Sequence, residues 1–154
     1  YRYTEITGRA PVPPEWSFGL WMSSSFIETS YKNRKELEDF CDKVRREDMP
    51  CDVVHLDPLW MEMGKYCDFV WDTKAFPNPK EMMMKLGKKG FKVCLWENPY
   101  VSAQSEVFKE CERKGYFLKK LDGSTYVSDV WGGQYPPTGI IDLTNPEAVE
   151  WYRK

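Results

Sequence analysis

The sequence predicts an α/β fold in which strands and helices alternate along the chain. Three short apolar runs, at residues 16–22, 51–57 and 91–96, have the length and composition of buried strands. Between them, apolar residues recur at the spacing of helices that pack one face against a sheet. Strands that alternate with helices usually pair in parallel through right-handed crossovers, so we expect a parallel sheet.

Capping residues mark where the predicted helices begin. Asn33, with Glu36 three residues later, forms a capping box in front of a helix whose apolar face includes Leu37. The other predicted helix starts are Asn78-Pro79, Ser105 and Asn145-Pro146. Each predicted strand is therefore followed by a helix that can cover the sheet.

The segments outside these units are a lead-in and an insertion. Prolines at positions 11, 13 and 14 predict an irregular start rather than a helix over residues 1–14. The turn signal at residues 121–124 predicts a hairpin between segments 116–120 and 125–129, and residues 139–143 are predicted to be extended. We therefore divide the chain into a lead-in, 1–15, and one α/β unit, 16–154.

The long loops after the predicted strands favour a barrel over a nucleotide-binding sheet. The loop from residue 58 to about residue 77 is the longest, and no glycine-rich phosphate loop follows any strand. Three β/α units are less than half of an eight-fold barrel. The predicted fold is thus a partial TIM (β/α)8 barrel, made of roughly its first three units and a hairpin-containing insertion.

Composition excludes several classes of function. The net charge of −2 over 154 residues gives no basic field for nucleic acid, and no apolar run reaches the roughly 20 residues that span a bilayer. His55 is the only histidine, which excludes a histidine triad or a multi-histidine metal site within this chain. The five cysteines are an odd number and widely spaced, as expected of free thiols in a reducing, cytoplasmic compartment.

Asp57 is the main candidate for a binding residue. It ends the second predicted strand, and ligands of parallel α/β folds meet the sheet at the carboxyl ends of strands. A carboxylate there can accept hydrogen bonds from two sugar hydroxyls, or it can simply cap the following loop. His55 lies two residues earlier, on the same face of the strand; it is a core imidazole or a partner of Asp57.

Aromatic residues near the predicted strand ends could line the same site. Trp96 ends the third strand, Phe26 follows the first, and Trp131 lies beside two glycines in a loop. Each ring can stack on a sugar or belong to the core. Glu97 and Asp142 are acidic residues near strand ends, and we expect both to anchor loops.

Collinear motifs along nearly the whole chain resemble one enzyme family. The motifs are Thr7-Gly-Arg-Ala-Pro-Val-Pro-Pro-Glu-Trp16-Ser-Phe-Gly-Leu-Trp21, His55-Leu-Asp57-Pro-Leu-Trp60-Met61, Cys67-Asp-Phe-Val-Trp-Asp72, Phe76-Pro-Asn-Pro79, Trp96-Glu-Asn-Pro-Tyr100, Lys114-Gly-Tyr116 and Asp142-Leu-Thr-Asn-Pro146. Together they resemble the start of the catalytic barrel of glycoside hydrolase family 31, and in particular its bacterial α-xylosidase branch.

The resemblance implies a retaining exo-acting α-glycosidase that needs no metal or cofactor. It implies that Asp57 hydrogen-bonds the non-reducing sugar, and that Phe26, Trp96 and Trp131 wall the −1 subsite. A phenylalanine at position 26 matches the xylosidase pattern, in which little room is left for a hydroxymethyl group. Pro58 and Leu59 depart from that pattern, in which a Cys-Phe pair is common at these two positions. The departure leaves open whether the site prefers xylose or glucose. Glu97 also departs, because an apolar residue is expected beside the pocket tryptophan.

Both catalytic carboxylates of the family are expected beyond residue 154, so no catalytic residue is assigned within this chain. We expect the chain to be a piece of a longer protein, with the rest of the barrel and flanking β domains as its partners. We predict that the isolated piece is inactive and that its open strand edge makes it marginally stable or homo-oligomeric. The alternative function is a non-catalytic carbohydrate-binding module that uses tryptophan platforms.

Overall fold

The computed structural model describes residues 1–23, 32–130, 132–133 and 135–154. In these residues the helices are α1 (Arg2–Thr7), α2 (Arg34–Arg46), α3 (Pro79–Lys88), α4 (Glu106–Lys114) and α5 (Pro146–Tyr152). The strands are β1 (Trp21–Ser23), β2 (Val53–Leu56), β3 (Lys92–Leu95), β4 (Tyr100–Ser102), β5 (Val127–Ser128) and β6 (Thr138–Ile140). Single turns of 3-10 helix cover Glu15–Phe18 and Pro58–Trp60.

The first three strands form a parallel sheet in the order β1-β2-β3. Ser23 pairs with His55, and His55 in turn pairs with Cys94, which sets the register across the sheet. Helix α2 lies between β1 and β2 along the chain, and α3 lies between β2 and β3. The prediction of parallel strands alternating with helices is confirmed.

The second part of the described chain is an antiparallel sheet in the order β4-β6-β5. Lys119 bridges to Thr125 across the predicted turn, and the amide of Gly123 donates to the carbonyl of Lys120 at 3.0 Å. The hairpin at residues 116–129 is therefore confirmed. Phe117 also bridges to Ile141, so one side of the hairpin runs beside the extended segment that precedes α5.

Two predictions near the start of the chain are wrong. Residues 1–14 were expected to be irregular, but Arg2–Thr7 form a helix, because the three prolines all lie after it. The first strand was placed at residues 16–22, but the chain first makes a 3-10 turn at Glu15–Phe18. In that turn both the amide and the hydroxyl of Ser17 donate to the carbonyl of Pro14. The strand then begins at Trp21.

The predicted caps hold at three of the four helices. Asn33 Oδ1 accepts from the amide of Glu36 at 3.0 Å, and Ser105 Oγ accepts from the amide of Phe108 at 3.1 Å. Asn145 Oδ1 accepts from the amide of Glu147 at 2.9 Å. Asn78 precedes α3 as predicted, but its side chain makes no cap bond in the described structure. Its φ of 49° is left-handed, whereas a capping side chain usually needs an extended backbone.

Two apolar clusters fill the described part of the chain. The larger lies between the parallel sheet and its helices, with Leu37, Val54, Phe76 and Leu86 at 1% exposure or less. The smaller packs α4 and α5 on the antiparallel sheet around Val101, Phe108 and Phe117. None of the helices in the described ranges is both long enough and apolar enough to cross a membrane.

Candidate functional site

Three polar or aromatic residues lie at one edge of the parallel sheet. Ser23 is the last residue of β1, Asp57 directly follows β2, and Trp96 directly follows β3. Because the strands are parallel, their carboxyl ends meet at the same edge. The amide of Trp96 donates to the carbonyl of Leu56 at 2.8 Å and so extends the pairing of β2 and β3 to this edge. Asp57 occupies the central position.

Asp57 is buried and contacts Ser23 of the neighbouring strand and His55 of its own strand. Its exposed fraction is 9%. Ser23 Oγ donates to Asp57 Oδ2 at 3.2 Å, and His55 Nδ1 lies 3.5 Å from Asp57 Oδ1. The 3-10 turn Pro58–Trp60 begins directly after Asp57, yet in the described structure no cap bond joins this carboxylate to that turn. The carboxylate thus faces its strand neighbours rather than serving as a loop cap.

His55 is the partner of Asp57 rather than only a core imidazole. Ser23 Oγ lies 3.1 Å from His55 Nδ1, so Ser23 contacts both the imidazole and the carboxylate. The alternation of side chains along β2 puts His55 and Asp57 on one face, as the sequence predicted. The first predicted strand ends at residue 22, one residue before Ser23, so the role of Ser23 was missed. The sequence shows a hydroxyl residue just after the first predicted strand, but not that it lies beside Asp57.

Trp96 combines a position at the sheet edge with partial burial. It packs against the larger core cluster, and its carbonyl accepts a hydrogen bond from Trp60 Nε1 at 2.8 Å. Trp60 is 4% exposed and meets Trp71 edge-on at 5.1 Å between ring centroids. Sequence reasoning did not identify Trp60 as the residue that holds the backbone of Trp96.

The other two predicted aromatic residues lie outside the described residues. Phe26 falls in the undescribed range 24–31, and Trp131 is likewise not described. The structure therefore places Asp57 and Trp96 at adjacent strand ends. That Phe26 and Trp131 join them stays a prediction.

Asp142 anchors a local turn, as expected. Asp142 Oδ1 accepts from the hydroxyl of Thr144 at 2.6 Å and from its amide at 2.9 Å, and these bonds lower the pKa of the Asp142 carboxyl. Glu97 lies near Tyr152 of α5, and that it anchors a loop stays a prediction. Burial raises the pKa of Tyr152, and the charge of Glu97 raises it further.

The five cysteines are free thiols. All five lie within the described range 32–130 and none is in a disulfide. Burial raises the pKa of Cys41 and Cys111 to about 12 and that of Cys67 to about 11. Among the described residues, no three His, Cys, Asp or Glu side chains are grouped so as to hold a metal ion.

Comparison with known proteins places this geometry in one family. The family model "Glycosyl hydrolases family 31 TIM-barrel domain" matches residues 10–154. The chain is 40% identical over 153 residues to alpha-xylosidase XylQ of Lactiplantibacillus pentosus, covering 99% of this chain and 19% of that protein. It is 33% identical to alpha-glucosidase 2 of Bacillus thermoamyloliquefaciens, over 98% of this chain and 18% of that protein.

A solved structure supports the same assignment. The dextranase FjDex31A of Flavobacterium johnsoniae, complexed with glucose, superposes with a TM-score of 0.85 at 28% identity, over 98% of this chain and 18% of that one. The chain thus spans about a fifth of the length of the relatives that it matches. With a family model covering nearly all of its residues, this chain belongs to glycoside hydrolase family 31, within the TIM-barrel domain.

Proposed function

We propose that this chain is part of a retaining exo-acting α-glycosidase that hydrolyses terminal α-xylosyl or α-glucosyl residues. In this proposal the chain forms roughly the first three β/α units of the barrel and supplies residues of the −1 subsite. Asp57 binds hydroxyls of the terminal sugar, and Trp96, Trp131 and Phe26 form its walls. The observation that carries the proposal is the buried carboxylate of Asp57 at the central strand end of the parallel sheet.

The chemistry of Asp57 suits a sugar-binding role. An ionised carboxylate is an acceptor only, and its two oxygens can each accept two hydrogen bonds. Charge-assisted bonds from hydroxyls are shorter and stronger than bonds between neutral groups. A carboxylate already held by Ser23 and His55 needs little reordering when a sugar arrives, so less entropy is lost on binding.

The two catalytic carboxylates are proposed to lie outside this chain. Retaining glycosidases use a nucleophile and an acid/base about 5–5.5 Å apart. Asp142 bonds to Thr144, which suits the anchoring of a loop better than attack on a sugar, and we assign the same anchoring role to Glu97. This chain would therefore bind and orient the sugar ring, and the isolated 154 residues would be inactive. The remainder of the barrel and flanking β domains would be its partners.

Preference between xylose and glucose is proposed to depend on Phe26. A bulky ring there would leave little room for the hydroxymethyl group that distinguishes glucose from xylose. The similarity to an α-xylosidase and to an α-glucosidase is compatible with either substrate. A reducing, cytoplasmic location and homo-oligomer formation stay predictions. A stand-alone carbohydrate-binding module is disfavoured, because the parallel sheet is unlike the all-β sandwiches usual for such modules.

The test compares Asp57→Asn with Asp122→Asn in the whole protein that contains this chain. Asp122 is a matched control because its Oδ1 also accepts a serine hydroxyl, from Ser124 at 2.6 Å, in the exposed hairpin turn. We expect Asp57→Asn to lower kcat/KM for an aryl α-xyloside or α-glucoside by about 100-fold, since it weakens bonds formed with the transition state. Asp122→Asn should leave kcat/KM unchanged.

The proposal would be overturned by an Asp57→Asn enzyme of unaltered kcat/KM. Measurable hydrolysis by the isolated 154-residue chain would contradict the placement of the catalytic carboxylates outside it. Comparison of the two aryl glycosides in the parent and in Phe26→Ala tests the sugar preference. Phe26→Ala should increase kcat/KM for the glucoside relative to the xyloside.

A further inference from the structure

We propose that Ser23 and His55 are positioning residues that hold the Asp57 carboxylate in the orientation in which it accepts sugar hydroxyls. The inference rests on the proposed role of Asp57 as a sugar-binding residue. It assigns to Ser23 and His55 no contact with the sugar, so their effect must pass through Asp57.

The register of the parallel sheet creates this arrangement. Ser23 on β1 is paired with His55 on β2, and Asp57 follows His55 by two residues on the same face. Ser23 Oγ therefore lies within bonding distance of both, 3.1 Å from His55 Nδ1 and 3.2 Å from Asp57 Oδ2. His55 Nδ1 also lies 3.5 Å from Asp57 Oδ1. Ser23 of β1 thus approaches one carboxylate oxygen, and His55 of β2 approaches the other.

Proton counting assigns a direction to these bonds. A serine hydroxyl has one proton, and an ionised carboxylate can only accept. The hydroxyl of Ser23 donates its proton in a hydrogen bond to Asp57 Oδ2, because a bond to a charged acceptor is stronger than a bond to a neutral imidazole nitrogen. Ser23 Oγ then accepts from His55, which requires the proton of a neutral imidazole to be on Nδ1. In that tautomer the Nδ1–H group is directed at Ser23 Oγ, and Nδ1 itself stays 3.5 Å from Asp57 Oδ1.

Ser23 at Oδ2 and the His55 imidazole beside Oδ1 restrain rotation of the carboxylate about its last side-chain torsion. That torsion is broad and roughly two-fold in the absence of partners. A sugar whose two hydroxyls bind the carboxylate together needs both oxygens in a defined plane, and small misplacements of positioning groups reduce catalysis strongly. The pair Ser23 and His55 supplies this restraint from neighbouring strands, which are more rigid supports than loops.

The experiment uses conservative and disruptive substitutions in the whole protein. His55→Phe keeps a ring and removes the donor, whereas His55→Asn keeps an amide N–H near the place of Nδ1. Ser23→Ala removes the hydroxyl and Ser23→Thr keeps it. Ser124→Ala is the matched control, since it removes the serine-to-aspartate bond of the exposed hairpin. Unfolding temperatures are measured for every variant beside kcat and KM on the aryl glycoside that the parent hydrolyses.

We expect His55→Phe and Ser23→Ala each to lower kcat/KM on the order of tenfold, the size expected for a lost bond to a charged group. His55→Asn and Ser23→Thr should recover most of the loss, and Ser124→Ala should have no effect. In an Asp57→Asn background, His55→Phe should change kcat/KM by less than about twofold, since residues that act through one another are not additive.

Different failures are distinguishable. If Asp57→Asn lowers kcat/KM but His55→Phe and Ser23→Ala leave it at the parent value, the positioning role is wrong and the sugar-binding role of Asp57 stands. An equal loss from His55→Phe in the parent and in the Asp57→Asn background would assign His55 a structural role and overturn the inference. An Asp57→Asn enzyme with parental kcat/KM would overturn both proposals.

Discussion

The indole Nε1 of Trp60 donates a hydrogen bond to the main-chain carbonyl of Trp96 at 2.8 Å. This bond joins the loop after β2 to the end of β3 across a separation of 36 residues. Trp60 is 4% exposed, so neither water nor a mobile side chain can readily replace the donor. The backbone that presents Trp96 at the sheet edge is therefore held by the residue three positions after Asp57.

Removing this bond should weaken both the fold and the site. Trp60→Phe keeps a ring but deletes the donor, and we expect a loss of about 1–3 kcal/mol in the free energy of unfolding. KM for the aryl glycoside should rise because Trp96 is held less firmly. Urea unfolding and steady-state kinetics of the whole protein measure the two effects.

Trp21→Phe is the control for Trp60→Phe. Trp21 Nε1 also donates to a carbonyl, that of Ser17 at 3.1 Å, but Trp21 is 43% exposed in this structure. Trp21→Phe should therefore lower the free energy of unfolding by less than Trp60→Phe does. Equal stability of the parent and the Trp60→Phe variant would show that the Trp60–Trp96 bond contributes nothing.

A second prediction concerns Gly139 on β6. A Cβ built there would lie 2.8 Å from Phe108 Cε2 and 2.9 Å from two ring atoms of Phe117, closer than real Cβ contacts. Both rings are buried and their centroids are 4.8 Å apart, so they have little freedom to move aside. We expect Gly139→Ala to lower the unfolding free energy by about 1–3 kcal/mol through overpacking.

Gly87→Ala in α3 is the opposite case for the same exchange. A Cβ there meets nothing within 4 Å, and alanine is the better helix former, so stability should rise by roughly 0.5–1 kcal/mol. Thermal unfolding of Gly139→Ala, Gly87→Ala and the parent measures both changes in stability. A stabilised Gly139→Ala would contradict the close approach of the two rings.

A third prediction concerns the buried thiols. Burial raises the pKa of Cys41, Cys67 and Cys111 above the ordinary value of 9.0, to about 12, 11 and 12. The folded chain keeps these protons to a higher pH than the unfolded chain does. The stability that they contribute is thus intact below pH 9.0 and is lost as the pH rises toward 11 and 12.

Two measurements check the thiol prediction. The unfolding temperature should fall progressively above about pH 9, and a Cys111→Ala variant should show a smaller fall. A thiol reagent at about pH 8 should modify these cysteines only after urea unfolding, because the thiolate is the reactive form. Rapid modification of Cys41 or Cys111 in the folded protein would contradict their burial.

A fourth prediction contrasts two aspartates. Burial raises the pKa of Asp68, which is 8% exposed, whereas bonds from Ser124 lower the pKa of the exposed Asp122. For Asp68 the stabilising contribution is present below its ordinary pKa of 3.8 and is lost as the pH rises through the raised value. For Asp122 the contribution is present above 3.8 and is lost as the pH falls through the lowered value.

Replacement of each aspartate by asparagine should therefore change stability in opposite directions. At neutral pH, Asp68→Asn should raise the unfolding temperature, since it keeps an oxygen that can accept from the amide of Val70 and removes the buried charge. Asp122→Asn should lower the temperature slightly. Thermal melts at neutral and acid pH measure both, and a destabilising Asp68→Asn would indicate that the charge is compensated.

Local features of the fold were predictable where a residue acts on its immediate neighbours. The caps at Asn33 and Ser105 and the hairpin turn at residues 121–124 depend on contacts within a few positions. The missed helix Arg2–Thr7 has no buried residue, so no apolar pattern marked it. Asn78 had the right residue type, but its left-handed backbone turns the side chain away from the helix, and composition does not encode that geometry.

The amino-acid sequence alone determined that Asp57 ends a strand of a parallel α/β sheet, because an apolar run precedes it and strands alternate with helices along the chain. It also determined that His55 shares the face of Asp57, because side chains alternate with a period of two residues along one strand. Only the tertiary structure decided that Ser23, 34 positions earlier, donates a hydrogen bond to that carboxylate. The same holds for Trp60, whose bond to Trp96 crosses between strand ends. The reason is that the register between strands depends on how helices and core side chains pack, whereas side-chain alternation within a strand is a local property of the backbone.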